Sequence, residues 1–117
     1  MPYVDGFILA VPKANIEAYK EMARLAGSVW KDHGALSYVE CVADDVPYGE
    51  LTSFPRAVIA KDDEIVVFAW ITYKDRASRD AINAKVMADP RLKHDADGPP
   101  FDGKRMIFGG FESFMAL

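Results

Sequence analysis

Ten consecutive residues, Glu64–Tyr73 (EIVVFAWITY), constrain the fold more than any other part of the chain. The run is rich in β-branched and aromatic residues and so reads as a strand. Its hydrophobicity does not alternate: Ile65, Val67, Ala69 and Ile71 line one face, while Val66, Phe68 and Trp70 line the other. A strand with one wet face alternates apolar with polar residues, so this one calls for cover on both sides. The segment KRMIFGGFESFMA (104–116) repeats the pattern, with Met106, Phe108 and Phe114 opposing Ile107, Phe111 and Met115. Its adjacent glycines, Gly109 and Gly110, weaken a strand. They are expected to bend it, or to admit a close approach by backbone or ligand.

The remaining segments supply one layer of that cover. YVDGFILAV (3–11) reads as a strand, with Tyr3, Phe7, Leu9 and Val11 on one face and Val4, Ile8 and Ala10 on the other, ended by Pro12. From 14 to 33, Ile16, Tyr19, Met22, Ala23, Ala26, Val29 and Trp30 recur at threes and fours, the period of an amphipathic helix, and Gly34 stops it. ALSYVECVA (35–43) alternates as a strand and DDVPYGELTSFP (44–55) reads as a loop. AVIA (57–60) and the long strand flank KDD as a hairpin would. Asp75 is the expected N-cap of a helix reaching about Met87, anchored by Ile82 and Val86 and closed by Asp89 and Pro90. RLKHDADGPP (91–100) is a polar loop before the last strand.

The order βαβ-βαβ predicts an α+β, ferredoxin-like domain, a four-stranded antiparallel sheet with two helices on one face. Its other face is then bare, and each large apolar side chain left in water forfeits about 1.5–3 kcal/mol of burial. A second copy packed face to face about a two-fold axis is the simplest cover, so a homodimer is expected rather than a monomer with a patch kept for another partner.

Bulk properties narrow the function classes. At 117 residues the chain is one domain, 1–117. A net charge of −4 gives no electrostatic reason for nucleic acid or an anionic membrane as partner. The longest apolar run, IVVFAWI, is too short to span a bilayer, and the first residues lack a basic targeting region, so a cytoplasmic protein is expected. Cys41 is the single cysteine, which excludes an internal disulfide and reads as an inert strand residue. FGGFESF has some likeness to an RNA-binding strand, but Phe108, Phe111 and Phe114 are spaced by threes and do not share a face.

The stretches YVDGFILAVP, VWKDHGALSYVEC, DDVPYG, VVFAWITY, DPRLKH and PFDGKRMIFGGFES run in order over nearly the whole chain. They resemble the YbaA-like bacterial family, a domain of unknown function. The resemblance implies the dimeric α+β barrel superfamily, whose members pair their sheets across a dimer interface. Relatives there include small cofactor-independent monooxygenases of antibiotic biosynthesis, muconolactone-isomerase-like proteins and YCII-like proteins. The family itself carries no activity over; analogy with these relatives makes a cofactor-independent enzyme, monooxygenase- or isomerase-like and acting on a small apolar or aromatic molecule, one reading. The alternative is a dimer that binds a small metabolite without turnover, or serves structure alone.

Four polar residues could carry such chemistry. Asp5 and Glu40 interrupt apolar strand faces, and Arg105 does so at the start of the last strand. A carboxylate in an apolar pocket can act as general base or acid, and an arginine can hold an anion or enolate. His33 follows the helix stripe just before Gly34, where it can favour the helix dipole or take part in catalysis. His94 sits in the polar loop. No spacing joins the histidines and a carboxylate into a metal site. A ligand pocket between sheet and helices would be lined by Trp70, Tyr38, Phe68 and Phe108. No GxGxxG, phosphate-binding loop or GxSxG stretch is present, so nucleotide cofactors and nucleophilic hydrolysis have no support.

Overall fold

Strand β1 (Tyr3–Pro12) runs through a short 3-10 turn into helix α1 (Ile16–Asp32), and β2 (Ser37–Val42) follows. A single helical turn α2 (Phe54–Ala57), strand β3 (Glu64–Tyr73), helix α3 (Arg76–Met87) and strand β4 (Ile107–Glu112) complete the order. The computed structural model describes residues 1–92 and 98–117, so His94 lies outside the described residues. The strands form one antiparallel sheet in the order β2-β3-β1-β4. With α1 and α3 packed on it, this is the ferredoxin-like α+β architecture read from the sequence.

The helix boundaries follow from local chemistry. Asp75 caps α3 by accepting a hydrogen bond from the Ser78 amide at 2.8 Å. Gly34 follows α1 with φ of +115°, a backbone state that suits glycine. The odd-numbered face of β1 and β3 meets the helices. There Ile71 and Tyr73 pack with Val29, Ile82 and Val86, while Leu9, Val11 and Val67 pack with Tyr19 and Ala23.

The opposite face is covered at one end only, and the cover comes from the chain itself. Residues 57–60 form no strand. Ser53 caps the α2 turn by accepting from the Arg56 amide at 3.1 Å, and the chain then drops Val58, 1% exposed, onto Ala10 and Val66. A four-residue apolar run bounded by turn signals carries no period long enough to tell a strand from a helical turn, which is why the expected hairpin is absent. Beyond Val58 the face is bare: Phe68, Ile107 and Phe111 are 42%, 43% and 65% exposed.

Two further expectations change. Arg105 belongs to a 3-10 turn, Gly103–Arg105, and β4 begins only at Ile107; Phe114 and Met115 lie past its end, beyond any sheet face. The glycine pair forms no bulge, because the register runs unbroken through Asp5↔Gly110 and Gly6↔Gly109. Close approach is the reason for Gly110. A Cβ there would overlap the Tyr3 hydroxyl and the Arg79 guanidinium. On the other face the Phe111 ring lies across Gly6 and Gly109.

Candidate functional site

A groove of about 620 Å3 lies between α1 and β2, one of the two edge strands of the sheet. One side of α1 lines it from Tyr19 to Lys31, since residues three, four and seven apart share a helix face. Tyr38 and Glu40 rise from β2 on the helix-facing side, with Val67 behind them on β3.

Glu40 is the polar centre of the groove. Its two carboxylate oxygens accept from different phenols: Oε1 from the Tyr19 hydroxyl, and Oε2 from the Tyr38 hydroxyl at 2.8 Å. Burial, and then the Glu40 carboxylate, push both tyrosines well above the usual phenol range. Both therefore stay neutral donors. A carboxylate offers about four lone-pair directions, so Glu40 keeps acceptor capacity toward the groove. Gly27 fixes the opposite wall, because a Cβ there would stand 2.9 Å from the Tyr38 ring. Lys20, Arg24 and Lys31 stand along the same side of α1.

The other candidates have separate partners. Asp5, 6% exposed, accepts from Arg79 Nε at 3.0 Å, beside Tyr73, whose hydroxyl is pushed up by burial and then by Asp5. Arg105 forks onto both oxygens of Glu64 at 2.7 and 2.8 Å and donates to the Ile59 carbonyl at 2.8 Å. That strap holds the turn where Ile59 takes φ of +51°, a strained state for a β-branched residue. His33 binds Asp89 at 2.8 Å, tying the end of α1 to the segment after α3. Asp5 and Arg105 thus serve ion pairs and His33 a hydrogen bond, at three places, and none of them lines the groove.

The expected aromatic pocket also divides. Tyr38 alone joins Glu40. Phe68 and Trp70 lie on the opposite side of the sheet, in a shallow apolar depression of about 520 Å3 with Ile107 and Phe111. Phe108, on edge strand β4, stacks on Phe7 at 6.2 Å and borders the same depression as Phe68 and Trp70. Tyr19 and the three basic residues of α1 are the groove residues that sequence reading missed. A tyrosine in an apolar helix stripe looks like core, and only the spacing of Lys20, Arg24 and Lys31 beside that stripe hints at a shared face.

Fold and groove together define a ferredoxin-like α+β protein. Two solved structures share this fold: Rv0793 from Mycobacterium tuberculosis and a dimeric ferredoxin-like protein from an uncultured marine organism. The first has a TM-score of 0.60 and 12% identity, covering 99% of this chain and 98% of that one. The second has a TM-score of 0.56 and 15% identity, covering all of both chains. The chain belongs to the family described as "Protein of unknown function (DUF1428)", whose model matches residues 2–103. It is 54% identical over 115 residues to the uncharacterized protein YbaA of Escherichia coli K12, covering 98% of each chain. Among the described residues no helix is long and apolar enough to cross a membrane.

Proposed function

We propose that the chain forms a homodimer through the bare sheet face and binds a small apolar or aromatic molecule in the α1–β2 groove, where Glu40 acts as general base. The observation that carries the reading is Glu40 itself, a carboxylate fixed by two neutral phenols on the floor of an open groove. Proton abstraction from a weakly acidic C–H or O–H suits such a group. It is the first step of an isomerisation, and equally of an oxygenation that uses dioxygen without an organic cofactor. The marine neighbour is dimeric, and the exposed Phe68, Ile107 and Phe111 support the same assembly here.

A second reading is a binding module without turnover. It is favoured by the same two phenol bonds, which leave each Glu40 oxygen already engaged. A small-molecule screen by thermal shift, run on the wild type, Glu40→Gln and Asp5→Asn, separates the two. General-base chemistry predicts hits whose turnover, followed by mass spectrometry, stops in Glu40→Gln and continues in Asp5→Asn. Hits that none of the three proteins transforms leave the binding module, and no hit at all removes the groove as a ligand site.

A further inference from the structure

The groove carries a charge pattern opposite to that of the chain. Net charge is −4 overall, yet the ionisable carboxylate and cations lining the groove are one glutamate against Lys20, Arg24 and Lys31. The three cations lie four and seven residues apart, along one side of α1. Among the described residues Lys20 and Arg24 are held only by exposed contacts to Glu17 and Glu21 on the same helix, at 3.5 and 2.6 Å. Lys31 donates to the Leu36 carbonyl at 2.8 Å, and no ion pair involves it among the described residues. Exposed pairs of this kind are worth little and exchange readily. The same groove is lined by the apolar Ala23 and Val42 and by the Tyr19 and Tyr38 rings, with Ser28 and Cys41 among its polar residues.

From this layout we infer that the ligand is a small organic anion, an apolar or aromatic body bearing a carboxylate. The body lies against Ala23, Val42 and the Tyr38 ring, and the carboxylate meets the α1 cations. The opposite end of the body, with its acidic proton, faces Glu40. Among the described residues none of the three cations pairs with Glu40, so they are left to the incoming anion. This inference rests on the groove reading above and adds the ligand's charge to it.

The test compares two probes of one shape, 2-naphthoate and 2-naphthamide, by titration calorimetry and by amide chemical shifts of the labelled full chain. The wild type is compared with the triple variant Lys20→Gln, Arg24→Gln, Lys31→Gln, where Arg24 and Lys31 are exposed and Lys20 is part-exposed. The expected result is about tenfold tighter binding of naphthoate than naphthamide, the sum of a few exposed ion pairs. That preference should vanish in the triple variant, with shifts confined to α1 and β2. Equal affinity of the two probes in the groove, or a preference that survives the triple variant, overturns the charge inference while leaving the groove as a site. Shifts that fall on β4 and the outer side of β3, or no binding of either probe, overturn the groove reading and this inference with it.

Discussion

Gly110 and Glu64 show how single side chains are committed in this fold. Gly110 leaves the space that Tyr3 and Arg79 fill beside Asp5, so Gly110→Ala should cost about 1–3 kcal/mol by overpacking, read as a lower urea midpoint with an unchanged slope. Hydrogen bonds from Arg105 hold the Glu64 carboxyl at about 2, against an ordinary value of 4.5. A carboxyl depressed on folding stabilises fully above its unfolded value and loses that contribution as pH falls through its folded value. Arg105→Met should therefore melt several degrees below the wild type at pH 7, with the gap closing between about pH 4.5 and 2. A gap that stays constant over that window would show that Arg105 acts through packing alone. Glu40 was legible in the sequence as a charge interrupting a strand. Asp5 and Arg105 gave the same signal, because a charge held in an ion pair and a carboxylate facing a groove look alike until their partners are known. Tyr19 gave none, since a phenol in an apolar stripe has the pattern of core.

At the level of elements, α1 and β2 are joined by a glycine. Gly27→Ala sets two effects against each other: alanine favours a helix interior by about 0.8–1 kcal/mol, but its Cβ would meet the Tyr38 ring at 2.9 Å. The melting temperature should move little, while naphthamide affinity falls as Tyr38 turns away from Glu40. Unchanged affinity, or a ring that stays in place by near-ultraviolet circular dichroism, would show that the wall yields instead. The bounds of β3, the cap of α3 and the stop of α1 could be read from residues because each rests on local chemistry: a strand run, an aspartate, a glycine. Residues 57–60 could not be, because their role depends on Ala10 and Val66 across the sheet. Although Phe114 lies past the end of β4, the opposite sides of Phe68 and Trp70 against Val67 and Ala69, and of Phe108 against Phe111, were also legible by parity. Which side holds the groove was not, and so Tyr38 was grouped with Phe68 and Trp70 although they point apart.

For the whole molecule, the proposed dimer makes a hydrodynamic prediction. Sedimentation at micromolar concentration should give twice the 13.0 kDa of the chain, and Phe111→Glu should return it to a single chain that still folds, since that ring is 65% exposed. A wild type that sediments as one chain would leave the bare face to another partner. The alternation along β3 carries a longer consequence. Val67 and Ala69 serve the groove side while Phe68 and Trp70 serve the seam, so inserting or deleting one codon within this ribbon would exchange the two sets and turn the molecule inside out. Length variation among working sequences should therefore gather in the 44–53 connection and leave these ten positions at constant spacing, even where their identities drift.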